Sequence, residues 1–460
     1  MLKFKFKTLG CKVNQAESEA LSALLKDAGL APANHTAPAD LYVINTCTVT
    51  QRAAMQSRQA IRQAIRANPN ARVMVTGCYA QTAPEEIRCI DGVETILEHT
   101  DKPRLVEFVL NKSRAHDRTL RKTIQEIGPL DPSTVIGQGA RSRPFLKVQD
   151  GCESFCTYCI VPYARGPSRS LPPDIVLESI EKICIAGFKE VVLTGIHLGN
   201  YGHDLSPSTD LLSLLRRIRK AGVIDRVRLS SIEPGEISET LIRFVADSST
   251  GMGRICSHFH IPLQSGDDGI LKRMHRPYSS RLFRELVLKI NDLLPDAAIG
   301  VDIMVGFPGE SVAAFERTCQ IIEQLPISYM HVFPFSPRKG TPAYHFTDRV
   351  PDTIIRQRCR IIREIGNKKK SEFYRKFIGR KLEVIIEEKR HAPRGYLKGT
   401  TANYIPVLIK ECGALIQNSA PTNILIEKVD NELKVFGKAS ARCRDDHPPK
   451  ILRSPTPDID

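Results

Sequence analysis

Long apolar runs are missing from this sequence. No stretch of about 18 apolar residues occurs in its 460 positions, so no transmembrane helix is expected. The N-terminus, Met-Leu-Lys-Phe-Lys-Phe-Lys, lacks an apolar h-region. No secretory signal is therefore expected, and the cytoplasm is the expected compartment. An even cysteine count is missing too. Thirteen thiols cannot all pair, and a chain this long buries real cores without disulfide staples. Reduced thiols, some of them binding metal, fit better. Acid is in short supply: 66 Lys and Arg stand against 51 Asp and Glu, a net charge of +15. A soluble protein this basic commonly meets a polyanion, most often nucleic acid. An obvious acid–base triad is also absent, which fits chemistry carried by a cofactor.

What is present reads as a globular α/β protein. Hydrophobic residues make up 42% and charged residues 25% of the chain, and the length suggests about three domains. Leu2, Phe4 and Phe6 alternate with Lys3, Lys5 and Lys7, which is strand periodicity. A helix is expected from about Asn14 to Lys26, a strand over 41–45, a helix from about Val49 to Ala67, and a strand over 72–76. This β-α-β-α-β order predicts a parallel sheet over residues 1–115. Residues 116–137, with Pro129, Pro132 and Gly137, read as a linker. Six further βα units are expected over 138–372, with strands at 144–149, 190–194, 226–230, 258–262, 299–305 and 328–333. They predict a partial (β/α)6 barrel. A helical stretch from about Asp352 to Lys376 follows. The short β-like segments of 375–443 predict a small antiparallel β-barrel. Residues 444–460, with four prolines, read as a disordered tail.

The cysteines carry the sharpest signal. Cys11, Cys47 and Cys78 each follow an expected strand. Parallel strands place their C-terminal ends on one edge of the sheet, where ligands bind, so these three should converge although 36 and 31 residues separate them. Cys152-Glu-Ser-Phe-Cys156-Thr-Tyr-Cys159 follows the first barrel strand. Three thiolates on one tight loop can hold three irons of a [4Fe–4S] cube. Structural zinc would want a fourth ligand nearby, and none lies close in sequence. The other seven cysteines, Cys89, Cys184, Cys256, Cys319, Cys359, Cys412 and Cys443, lack grouping and read as small buried hydrophobes.

The segment CESFCTYCIVPYARG resembles the signature of the radical S-adenosylmethionine (SAM) methylthiotransferase family. The likeness extends over almost the whole chain through GCKVNQ, NTCTVT, TGCYAQ, LSSIEP, HIPLQSG, RMHRPY and DIMVGFPGE, and it ends in a segment similar to a TRAM domain, a small RNA-binding β-barrel. The resemblance implies that Cys152, Cys156 and Cys159 ligate the SAM-cleaving [4Fe–4S] cluster, and Cys11, Cys47 and Cys78 a second one. It implies a 5′-deoxyadenosyl radical that removes a hydrogen from an unactivated C–H. It also implies sulfur held or supplied at the second cluster, a methyl group from a further SAM, and sulfur and electron donors that it does not identify. Other strand-end residues, Gly195, Ser231, Glu233, Gln264 and Gly306, are similar to SAM-binding segments of the family. They also suit ordinary βα turns.

The context Gly10-Cys-Lys-Val-Asn-Gln15 and the segment 399–407 resemble the MtaB-like branch, which modifies N6-threonylcarbamoyladenosine next to the tRNA anticodon, at position 37. Two other branches act on isopentenyl-adenosine in tRNA and on a ribosomal-protein aspartate. A non-enzymatic zinc-containing RNA-binding protein would explain the charge and the small barrel, but not six βα units or two three-cysteine sets. Arg58, Arg62 and Arg66 recur every four residues on one helix face just after Cys47. Residues 354–380 hold ten Lys and Arg against two acids, +8. Together these predict a track for a tRNA anticodon loop, with affinity that falls steeply with salt.

Overall fold

The computed structural model describes residues 1–34, 37–110, 142–248, 250–391, 395–410 and 421–439, with the side chains of 388–391 left out. The expected linker and tail, and Cys412 and Cys443, lie outside these residues.

The N-terminal unit is a five-stranded parallel sheet. Its order is Ala31–Pro32, Lys3–Thr8, Leu41–Thr46, Arg72–Gly77, Thr95–Ile96. Alternation divides each central strand between two cores, since successive side chains point to opposite faces. Leu41, Val43 and Met74 pack with Leu21 and Leu25 of helix Lys12–Asp27. Tyr42, Ile44, Val73 and Val75 pack with Ala60, Ile61 and Ala64 of helix Gln51–Ala67. The second helix starts where Thr50 Oγ1 accepts from the Ala53 N–H, satisfying a donor that has no partner within the helix.

The central unit has the six expected parallel strands. Phe145–Lys147, Glu190–Thr194, Arg226–Leu229 and the short Arg254–Ile255 form one sheet, and His258–His260, Ala298–Val305 and Tyr329–Pro334 another. A parallel bridge between Ser231 and His260 joins them. No pairing links Phe145–Lys147 to Tyr329–Pro334 among the described residues, so the barrel is open on one side. Its outer face packs against the helices through residues such as Val191, Val227, Phe259, Val301 and Ile303. The opposite face is polar: Glu190 pairs with Arg226 at 2.8 Å and Arg228 at 2.7 Å, all three fully buried. The guanidinium groups hold Glu190, against its burial, near pKa 2.

Helix Asp352–Arg375 lies against the last barrel strand and leads to a closed five-stranded barrel. The ring order is Lys381–His391, Tyr396–Thr401, Pro406–Lys410, Val435–Ala439, Thr422–Val429. The barrel is antiparallel as expected in four of its five pairings, and Val407 pairs with Val435 in parallel register. Parity explains it: strands in a closed ring of five cannot alternate direction at every step. Tyr374 and Phe377 enter this barrel's core beside Val384, Val407, Ile424 and Ile426. Among the described residues no helix is long and apolar enough to cross a membrane.

The candidate two-thiol-triad site

Each N-terminal cysteine occupies a strand-to-helix turn. Cys11 caps helix Lys12–Asp27, Cys47 follows strand Leu41–Thr46, and Cys78 opens helix Cys78–Thr82. The turns are tight. Gly10 has φ +101°, and a Cβ there would lie 2.8 Å from the Cys47 Sγ; Gly77 has φ +97°, and a Cβ there would lie 2.3 Å from the Thr46 carbonyl oxygen. Only glycine tolerates both demands. Cys11 is exposed, whereas Cys47 and Cys78 are buried. Burial pushes the Cys47 thiol up to about 11, and Cys78 moves the same way for the same reason.

The second set sits on the loop after strand Phe145–Lys147. Gly151, φ +77°, starts it, where a Cβ would collide with the Pro167 carbonyl oxygen. Phe155 takes the left-handed conformation at φ 44°, turning the chain between Cys152 and Cys156. The Cys159 N–H donates to the Cys156 carbonyl at 2.9 Å. Burial lifts Cys159 to about 12 and raises Cys156, the latter opposed by Arg276. Arg276 Nη1 lies 3.2 Å from Cys156 Sγ, and its other arm binds Glu233. Cys152 Sγ lies 3.6 Å from His197 Nδ1, whose other nitrogen meets Glu236. Burial would lower His197, but its bonds to Cys152 and Glu236 raise it to about 10. Cys152 is lowered, because His197 and Ser154 outweigh its burial.

The two units that carry the triads are tied together by Arg165, at the end of helix Val161–Arg165, six residues after Cys159. Its guanidinium donates to Asn14 Oδ1 at 2.6 Å, Glu17 Oε1 at 2.9 Å and Asp150 Oδ1 at 2.8 Å. Lys102 and Lys147 complete the cluster on Glu17, at 2.5 and 3.1 Å. Glu17 stays well below the usual carboxylate range despite its burial, held by Arg165, Lys102 and Lys147. On the far side Arg338 binds Thr48, next to Cys47. The Gln51 N–H donates to Ser336 Oγ at 2.9 Å.

Neither triad brings its three sulfurs within 4.8 Å of one another; among the described residues only His260, Asp302 and His331 form a group that tight. Tetrahedral zinc, with Zn–S of about 2.3 Å, wants sulfurs about 3.8 Å apart. His260 and His331 share Asp302 Oδ1, at 3.0 and 3.2 Å, on the polar inner face of the barrel.

The five expected SAM-pocket residues all follow barrel strands, but their surroundings differ. Gly195 leaves room for Gln149, whose Oε1 would lie 2.8 Å from a Cβ there. Gln149 in turn donates to the Gly151 carbonyl at 2.9 Å. Ser231 pairs with His260. Glu233 holds Arg276 and is raised by its burial. Gln264 sits at φ 62°, and its buried Oε1, like Ser230 Oγ, has no hydrogen-bond partner among the described residues. Orphaned polar atoms at strand ends suit a polar ligand. At Gly306 a Cβ would strike Ile355 at 2.4 Å, so there the small residue admits the long helix. Arg62 and Arg66 stand exposed, while Arg58 is tied to Tyr79 at 2.8 Å and Glu86 at 3.1 Å. Arg165, Glu17, His197, Arg276 and Arg338 escape a reading by motif. The available signal was a carboxylate, Glu17, on the helix face that carries Val13, Ala16 and Ala20.

Comparison with known proteins bears on all of this. Residues 3–97 match the family described as "Uncharacterized protein family UPF0004", and residues 146–322 match the Radical SAM superfamily. The "Threonylcarbamoyladenosine tRNA methylthiotransferase MtaB" of Bacillus subtilis is 38% identical, covering 91% of this chain and 93% of its own. The protein of the same description from Aquifex aeolicus is 37% identical over 90% and 99%. A "tRNA-2-methylthio-N(6)-dimethylallyladenosine synthase" from Clostridium tetani is 31% identical over 86% and 88%. Among solved structures, the radical SAM methyltransferase TsrM of Kitasatospora setae superposes with a TM-score of 0.53 at 15% identity, covering 88% of this chain and 82% of its own, a likeness of fold. With two thiol triads on parallel-strand ends and this extent of identity, the chain belongs to the MtaB-like radical SAM methylthiotransferase family.

Proposed function

We propose that this protein methylthiolates N6-threonylcarbamoyladenosine at position 37 of tRNA, next to the anticodon, as a cytoplasmic enzyme. The reaction class is carried by one observation: two thiol triads, both at the C-terminal ends of parallel strands, on units joined through Arg165. The choice of base is supported by the relatives' names, with the MtaB proteins at 35–38% identity and the dimethylallyladenosine synthases at 29–31%.

Cys152, Cys156 and Cys159 would hold the SAM-cleaving [4Fe–4S] cluster, and Cys11, Cys47 and Cys78 a second [4Fe–4S] cluster, with SAM near Gly195, Ser231, Glu233, Gln264 and Gly306. Bound there, these groups supply the low-potential electron, the hydrogen-abstracting radical, the sulfur and the methyl group. The protein's own part is positioning. Arg276 places a cation beside the Cys156 sulfur, oriented by Glu233. His197 donates toward Cys152 with Glu236 behind it. Tyr158, on the cysteine loop itself, packs edge to face with Phe307, and Phe307 with Phe335, at 5.4–6.4 Å in one apolar cluster. Arg62 and Arg66 offer exposed cations to RNA on the helix that follows Cys47. The reading keeps the partition into 1–115, 138–372 and 375–443.

The test is mass spectrometry of tRNA nucleosides from cells lacking the protein. Loss of the 2-methylthio form of threonylcarbamoyladenosine is expected. Loss of the isopentenyl form instead, or unchanged tRNA, overturns the substrate. Anaerobically purified protein should be brown with about eight irons per chain; a colourless zinc protein overturns the reaction class.

A further inference from the structure

A cavity of about 520 Å³ lies where the last barrel strand, the long helix and the C-terminal barrel meet. Its walls include four cations, Arg143, Arg363, Lys370 and Lys398, and no carboxylate. They also include four aromatic rings, Tyr329, Phe373, Tyr374 and Tyr404. Arg143 and Lys398 lean toward Glu387, at 3.4 and 4.0 Å. Arg363 reaches only the Val332 carbonyl at 3.4 Å, and Lys370 stands 5.4 Å over the Tyr374 ring. Neither forms an ion pair among the described residues. Arg363, Asn367 and Lys370, at i, i+4 and i+7, lie on one face of helix Asp352–Arg375 and line the same cavity.

Arg363 and Lys370, which have no acid partner among the described residues, call for an anion, and rings call for a flat partner. Unpaired nucleotides satisfy both, stacking on aromatic side chains while the phosphate meets Arg or Lys. The cavity volume is ample for one nucleotide. The carboxamide of Asn367 offers donors and an acceptor to a base edge.

The cavity opens at the strand starts, away from the thiols. Ala298 and Tyr329, which line the cavity, are the first residues of their strands, whereas the thiols follow strand ends. Ala298 and the far end of its strand at Val305 stand roughly 20–25 Å apart at about 3.3 Å per residue, and along Tyr329–Pro334 the cavity wall reaches up to Val332.

We propose that this cavity holds a second, unpaired nucleotide of the substrate RNA, its base among Tyr329, Tyr374 and Tyr404 and its phosphate against Arg363 and Lys370. The proposal rests on the reading of tRNA as substrate. It also divides the +8 of the long helix. Arg358 is buried against Glu310, Lys376 and Arg380 bind Asp296, and Lys369 bonds the carbonyls of Glu323 and Leu325. Of the other six, Arg363 and Lys370 line the cavity, and Arg356, Arg360, Lys368 and Arg375 do not.

The test uses the iron-loaded full chain and an anticodon stem–loop RNA carrying threonylcarbamoyladenosine, with affinity measured across a salt series. Arg363→Ala and Lys370→Ala should each lower the salt slope by about one, and together weaken binding at least tenfold, with iron content unchanged. 4-Thiouridine placed in the loop away from position 37 should photocross-link to peptides containing Tyr374 or Tyr404. Unchanged affinity in the double variant, or cross-links confined to other peptides, overturns the proposal while leaving the substrate intact. Adenosine monophosphate binding as tightly as the stem–loop, with the same loss in the double variant, overturns RNA as the source. A wild-type enzyme that binds no tRNA-derived stem–loop overturns the substrate reading, and this proposal falls with it.

Discussion

The two triads reach similar ends by opposite routes. Cys152, Cys156 and Cys159 lie within eight residues on one loop, so local backbone sets their spacing. Cys11, Cys47 and Cys78 come together only once three strands have paired in register, with Thr46 opposite Gly77. The first should therefore tolerate distant damage that the second does not. A local metal loop behaves as a motif, and an assembled one reports on a whole sheet.

The largest expected effects separate the two directly. Cys156→Ala should abolish SAM cleavage, whereas Cys47→Ala should spare cleavage and stop thiolation. Each variant should lose about half of the iron, read by colorimetric assay. If Cys47→Ala still makes the methylthio nucleoside, the division of labour is wrong. Arg165→Met comes next. It removes one of the two cations that bridge Glu17 and Asp150, while Lys147 still reaches both and Lys102 still holds Glu17, so the loss should be smaller than the about 3–5 kcal/mol of a fully stranded buried charge. Denaturant unfolding should show that loss, and an unchanged midpoint would mean that the two units are not mechanically joined through this residue.

Gly77→Ala should be milder in stability but selective in outcome. A side chain at φ +97° against the Thr46 carbonyl costs on the order of 1–3 kcal/mol. Iron should fall at the assembled triad while SAM cleavage persists. Loss of SAM cleavage as well would erase the contrast between the triads. The smallest effects belong to the arginine face of helix Gln51–Ala67. Arg62→Ala and Arg66→Ala should each weaken RNA binding several-fold at low salt, consistent with one lost phosphate contact. Arg58→Ala should do less, because Glu86 already occupies its guanidinium. Equal effects from all three would place the RNA elsewhere on that face.

The difference between the routes also explains what the sequence disclosed. Strand periodicity at Phe4 and Phe6, cysteines directly after strands, and CxxxCxxC after Phe145–Lys147 are local patterns, and both triads could be read from them. The six strands were legible for the same reason. Arg165 was not, although it lies within the signature segment, because its partners Asn14 and Glu17 are about 150 positions upstream. Gly306 shows the converse error. A small residue at a strand end suggests a ligand, yet Ile355 of a helix nearly fifty residues later takes that space. The parallel pair in the small barrel was within reach, since five strands were visible and an odd ring forces one. The polar inner face of the large barrel was hidden, because Arg226, Arg228 and Glu190 look like solvent-facing charges until the barrel closes around them.

The Arg165 cluster has a practical consequence for anyone building hybrids. Asn14 and Glu17 come from the first sheet unit, and Asp150 and Arg165 from the barrel unit, yet they form one ion-pair network with Lys102 and Lys147. A cut within 111–141 divides that object, leaving Asn14, Glu17 and Lys102 on one fragment and Lys147, Asp150 and Arg165 on the other. Grafting either unit onto a relative would transplant the six residues only in part. The exchangeable unit of this enzyme is therefore the pair of domains, and a chimera should respect that seam before any junction chosen from the linker.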